Sequence, residues 1–133
     1  MSAREADVIV VGAGLSGLAA ALTAREAGCS VIVLERAPVE ERGGNTRFSN
    51  GAMRAVYHGL EDIEALVGDI SDAEKARADF GSYTREQYFE DLAKVTDYRV
   101  QGDMADLLVD GSRETMRWLK SQGARFLPLY EWQ

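Results

Sequence analysis

The chain has 133 residues, 46% hydrophobic and 28% charged, a globular composition with length for about one domain. Its net charge of −7 argues against nucleic acid or an anionic membrane surface as main partner, since both ask for a basic face. Its one cysteine, Cys29, excludes an internal disulfide and a cysteine metal cluster and fits a reducing, cytoplasmic setting.

The first apolar run, Val8 to Val11, is too short for a secretory signal and follows Glu5 and Asp7; no stretch approaches a membrane span. Asp7 to Val11 reads as a buried strand running into glycine. Leu15 to Ala27, rich in alanine and leucine and stopped by Gly28, reads as a helix, and Ser30 to Leu34 as a second buried strand. Two such strands joined by one helix make a right-handed βαβ unit with parallel strands. A glycine-rich segment, "GGNTRFSNGAMR" from Gly43 to Arg54, follows at once.

The second half changes character. Ser71 to Glu74 and Thr84 to Gln87 match the capping box. Tyr88, Leu92 and Val95 then recur at helical spacing, with Phe89 and Ala93 beside them. A longer helix is predicted from about Asp103 to Ser121, with Met104, Leu107, Leu108, Thr115, Trp118 and Leu119 as its buried stripe and a possible break at Gly111. "ARFLPL" after Gly123 suggests a short strand or extended segment. The domain reading is therefore a βαβ unit with its loop over residues 1–56 and a helical segment over 57–133. Two strands do not complete a doubly wound sheet, so the expectation is the N-terminal part of a longer protein, inactive alone.

"VIVVGAGLSGLAAAL" holds Gly12, Gly14 and Gly17 in the order G-x-G-x-x-G between a strand and a helix. Gly12 permits the tight turn, Gly14 lets a pyrophosphate approach the backbone, and Gly17 lets the helix pack close to the strand. Free amides at the helix start then neutralise the phosphates without a basic patch. Glu35 lies 21 residues after Gly14, at the tip of the second strand, where its carboxylate can accept from both ribose hydroxyls and disfavour a 2′-phosphate. This turn alone does not choose between NAD and FAD. The second glycine segment favours FAD: Gly43 and Gly44 admit close backbone approach, Asn45 and Thr46 supply short polar groups, and Gly51 and Ala52 leave room for a flat ring.

"VIVVGAGLSGLAAALTAREAGCSVIVLER" followed by "GGNTRFSNGAMR" resembles the flavoproteins that include fumarate reductases, succinate dehydrogenases and 3-ketosteroid dehydrogenases. "DMADLLVDGSRETMRWLKSQGARF" is similar to the helix after the FAD loop of soluble fumarate reductases. "FSNGAMR", "DFGSYTREQYFEDLAKVTDYR" and "FLPLY" look most like FAD-dependent tricarballylate dehydrogenases. The resemblance implies a Rossmann-like α/β domain with FAD contacts at Gly12, Ala13, Gly14, Ser16 and Gly17 around the pyrophosphate. It implies further contacts at Glu35 and Arg36 at the adenosine end, at Gly44, Asn45 and Thr46 in the loop, and at Gly51 and Ala52 near the flavin. Ala52 stands where a second glycine is common. Membrane-bound relatives carry a histidine in this loop that links to the flavin; here Arg47 and Phe48 stand with none, which implies non-covalent FAD.

The resemblance also implies the reaction: loss of a proton α to a carboxylate and of a hydride from the β-carbon to flavin, turning tricarballylate into cis-aconitate. Succinate, fumarate or a 3-ketosteroid are the alternative substrates, and an electron-exchanging protein is a possible partner. The residues that bind the substrate carboxylates and move protons, arginines and a histidine, would belong to later segments, in a capping domain and the C-terminal part of the FAD domain, so no catalytic residue is assigned here and no metal is expected. A non-catalytic module that senses FAD or NAD is the reading from another class. The only histidine, His58, reads as a surface residue, the pairs Glu61/Asp62 and Glu90/Asp91 as solvated helix faces, and Cys29, Trp118 and Trp132 as packing residues. Arg47 and Arg54 flank the loop and are candidates for a place near phosphate or flavin.

Overall fold

The computed structural model describes residues 5–129. It contains two compact units, one ending at Met53 and the next beginning at Arg54.

The first unit is the expected βαβ. Strand β1 (Val8–Val11) and strand β2 (Val31–Leu34) are parallel, with Val8 opposite Val31 and Val11 opposite Leu34. Helix α1 (Leu15–Glu26) crosses between them. It ends as the sequence implies: Ala27 caps it and Gly28 takes a left-handed φ of +86°. The register of the strands is set before they begin. Ser30 donates to Asp7 Oδ2 through both its amide, at 2.8 Å, and its hydroxyl, at 2.6 Å, and its Oγ accepts from the Asp7 amide at 3.0 Å. These bonds hold Asp7 below the usual carboxylate range, the Ser30 hydroxyl first among the causes.

Parallel pairing puts opposed residues on one face of the sheet. A Cβ on Gly17 of α1 would lie 3.4 Å from Val10 Cγ1, so Val10 faces the helix. Alternation then sends Ile9, Val11 and Leu34 to the other face, where they are 57%, 83% and 50% exposed.

The second unit holds α2 (Leu60–Val67), the single turn α3 (Asp72–Lys75), α4 (Arg85–Val95) and α5 (Gly102–Ser121). Both capping boxes form: Ser71 with Glu74, and Thr84 with Gln87. Helix α5 packs on α2 and α4. Its buried residues are Ala105, Val109, Ser112 and Met116, not the predicted Met104, Leu107, Leu108 and Thr115, all of which are exposed. The spacing was helical, but the stripe lies one position further on. Ala105 is buried, and small Ser112 lets neighbouring backbone approach, its hydroxyl oxygen taking the Val56 amide at 3.1 Å. Trp118 and Leu119 are half-buried. Gly111 does not break the helix, which runs through it unbroken. Val95, expected on the packed face of α4, is 80% exposed at its last turn. Residues 124–129 form no regular strand, and Trp132 lies outside the described residues.

Two of the acids read as solvated are bound inward. Asp62 pairs with Arg113, joining α2 to α5, and its oxygen Oδ2 accepts from the His58 amide at 2.9 Å. Asp91 accepts from Arg54 at 2.8 Å and from the Tyr83 hydroxyl at 2.7 Å. Adjacent positions diverge by about 100° around a helix, so one of a pair can face inward.

Candidate cofactor-binding site

The glycine turn occupies the end of β1. Gly12 adopts φ +101°, a left-handed conformation that a side chain would strain, and its amide donates to Leu34 O at 2.7 Å. The next amide, of Ala13, donates to Glu35 Oε2 at 2.8 Å, and the Ala37 amide donates to Glu35 Oε1 at 2.8 Å. The acid at the end of β2 is thus clamped across the turn. The Ala37 amide, then the Ala13 amide, holds its carboxyl below the ordinary range. A carboxylate has about four acceptor positions, so this anchoring leaves it free to accept further donors.

Gly14 caps α1 but has no side chain with which to do so. The Leu15 amide is instead taken by Thr46 Oγ1 at 3.0 Å. No acceptor among the described residues is bonded to the amides of Ser16 or Gly17. They are first-turn donors without an intrahelical partner and they lie at the positive end of the helix dipole. The second glycine segment meets the first at this point. A Cβ on Gly14 would lie 3.4 Å from Gly43 O and 3.7 Å from Thr46 Oγ1. Gly14 therefore makes room for the loop. A Cβ on Gly17 would fall 2.1 Å from Gly12 O, so Gly17 relieves the turn first and the strand second.

The segment after β2 is a compact 3-10 turn over Gly44–Phe48, entered through left-handed Gly43 and Gly44, at φ +109° and +55°. Ser49 donates to Thr46 O by its hydroxyl at 2.8 Å and by its amide at 3.2 Å; the Ala52 amide donates to Ser49 O at 3.2 Å. The structure thus brings together the glycine turn, Glu35, Gly43 and Thr46. Among the described residues no hydrogen bond joins Arg36, Asn45, Gly51 or Ala52 to the glycine turn. Arg47 lies over the exposed Phe48 ring, 5.7 Å from its centroid. Arg54 is committed within the second unit, to Asp91 and to the Tyr83 hydroxyl at 3.0 Å, with its guanidinium 5.3 Å from the Tyr83 ring. Burial first, and Asp91 next, pushes Tyr83 up to about 12. Sequence reasoning missed the Asp7–Ser30 clasp. Its signal was an acid and a hydroxyl standing directly before two strands of equal length. No group of three or more metal-ligating side chains is found among the described residues.

Two side chains and three glycines in this arrangement define a dinucleotide-binding βαβ unit. The FAD binding domain family matches residues 7–132, and the chain belongs to that family, whose ligand is FAD. The chain is 31% identical to a urocanate reductase of Eggerthella lenta over 96% of its own length and 18% of that protein's. It is 32% identical to a probable fumarate reductase of Shewanella frigidimarina, over 89% of this chain and 17% of that protein. It is 37% identical to a 3-oxosteroid 1-dehydrogenase of Mycolicibacterium smegmatis, over 56% of this chain and 15% of that one. The chain thus spans less than a fifth of the length of each of these relatives.

The site fits the diphosphate and ribose of FAD on its own terms. Free first-turn amides at Ser16 and Gly17 suit a diphosphate, and an ionised Glu35 suits ribose hydroxyls.

Proposed function

We propose that this chain is the FAD-holding portion of an oxidoreductase that acts on a carbon–carbon bond next to a carboxylate, with tricarballylate, oxidised to cis-aconitate, as its substrate. Succinate or fumarate and a 3-ketosteroid are the alternatives. The observation that carries the reading is the junction at the start of α1, where Glu35, Thr46 and Gly43 converge on one glycine turn. Fumarate and urocanate, named for two relatives, each carry a double bond conjugated to a carboxylate, which supports the bond type. The resemblance of "FSNGAMR" and the α4 region to tricarballylate dehydrogenases supports the substrate.

The amides of Ser16 and Gly17 would hold the diphosphate, and Glu35 would accept from the adenine-side ribose. Arg36 would flank the adenosine, and Asn45, Thr46, Gly51 and Ala52 would lie along the rest. FAD, when bound, supplies a two-electron acceptor for hydride. The loop carries no histidine, and by its resemblance to the family this supports non-covalent attachment. The protein's share is to orient the ring and exclude water. Substrate carboxylate contacts, an electron-exchanging partner protein and a cytoplasmic location belong to the same proposal.

The test is spectroscopic. The enzyme containing this chain is purified, and each substrate is added without oxygen. Bleaching of the flavin band by tricarballylate and not by succinate or a 3-ketosteroid is the expected result. No bleaching with any polycarboxylate overturns the substrate assignment. A protein that binds NAD and releases no FAD on denaturation points to the sensor reading.

A further inference from the structure

We propose that Thr46 is the positioning residue that sets the second glycine loop for FAD, by capping α1 from outside the helix; the inference rests on the FAD reading above. The residue at the capping position, Gly14, offers no oxygen, yet the first helical amide is satisfied. Thr46 Oγ1, 31 positions after Leu15, accepts from it at 3.0 Å.

Thr46 is held at its other end as well. Its carbonyl accepts from both the amide and the hydroxyl of Ser49, and Ser49 in turn takes the Gly51 amide on Oγ at 3.3 Å and the Ala52 amide on its carbonyl. One unbroken series of bonds therefore runs from the start of α1, where a diphosphate would sit, to Gly51 and Ala52, the positions assigned to the flavin. Gly43 and Gly44 aim Thr46 along this path, since two successive left-handed residues turn the chain back toward Gly14. The cap also settles which amides face the ligand. With Leu15 occupied, those of Ser16 and Gly17 remain. Thr46 is thus a structural relay between the two ends of the cofactor site, in place before any ligand arrives.

The experiment uses the full protein as purified, stripped of flavin and titrated with FAD, in three forms: wild type, Thr46→Ser and Thr46→Val. Serine keeps the acceptor oxygen; valine keeps the shape and removes it. The first readout is hydrogen exchange of the Leu15 amide in the flavin-free protein. The second is FAD affinity, with the visible circular dichroism of bound flavin as the signature of ring placement. The expected result is protection of Leu15 in wild type and the serine form and its loss in the valine form. FAD binding of the valine form weakens about three- to thirty-fold, the range that loss of a helix cap converts to, with an altered dichroic spectrum. Unchanged Leu15 exchange, or wild-type affinity and spectrum, in the valine form overturns the proposal. So does equal weakening in the serine and valine forms. A wild-type protein that binds no FAD brings down the proposed function itself, an outcome recognisable before any variant is compared.

Discussion

A methyl group at position 17 has no space to enter. Its carbon would lie 2.1 Å from Gly12 O, a backbone atom that moves only if the turn moves. Gly17→Ala is therefore expected to cost about 1–3 kcal/mol by overpacking and to weaken FAD binding more than Gly111→Ala, whose methyl meets nothing nearer than Thr115 Oγ1 at 4.0 Å. Thermal melting with and without FAD reads both effects. Glu35 gives a pH signature. Its folded pKa lies below the ordinary 4.5, so its contribution is fully present above that value and is lost as pH falls through the depressed one. Asp7, likewise lowered from 3.8, adds a loss in the same direction. Glu35→Gln is expected to flatten the acid limb of a melting-against-pH curve; a limb identical to wild type would contradict the clamp. At this scale the sequence was informative about where the glycine turn and the acid after β2 stand and less so about what they touch. G-x-G-x-x-G and the acid after β2 were legible because backbone conformation and charge restrict those positions to few residue types. That Thr46 bonds Leu15 was not, because nothing in a local window shows a contact 31 residues away.

At the level of elements, the capping boxes were readable four residues at a time. Thr84→Ala removes the oxygen that accepts from the Gln87 amide and is expected to destabilise the second unit by about 1 kcal/mol. The α5 stripe was misjudged by one position, because Met104, Leu107 and Leu108 outweigh Ala105 and Ser112 in any hydrophobicity count. Packing chose the face on which small residues admit close approach. The two registers are separable by mutation. Val109 is fully buried, so Val109→Ala should cost about 2 kcal/mol, whereas Leu107, at 70% exposure, should tolerate alanine within about 0.5 kcal/mol in this chain. Denaturant midpoints decide between them, and a larger loss at Leu107 would restore the original stripe. Arg54 shows the same limit of sequence. It sits at the end of the glycine loop, yet Tyr83 and Asp91, which claim it, are 29 and 37 residues downstream.

For the whole molecule, the parallel pair β1–β2 has one face under α1 and one in solvent. Parallel sheets are normally covered on both faces. The exposed Ile9, Val11 and Leu34 are therefore expected to bind a hydrophobic dye, and Val11→Lys to reduce that binding; dye binding unaffected by the substitution would place the apolar surface elsewhere. Among the described residues no helix is long and apolar enough to cross a membrane. The α/β character of the chain, its FAD family and the order strand–helix–strand–helices were all legible from two apolar runs and one glycine pattern. The central claim is that the α1 start, Glu35 and the loop around Thr46 together form one FAD site. Its most direct measurement is titration of the flavin-free protein with FAD, following flavin fluorescence, in wild type and Glu35→Lys. The account expects one saturable FAD per chain, not displaced by NAD, with affinity lowered at least about tenfold in the variant through loss of the ribose acceptor. Saturable binding that Glu35→Lys leaves untouched, or NAD displacing FAD at equal concentration, would contradict it.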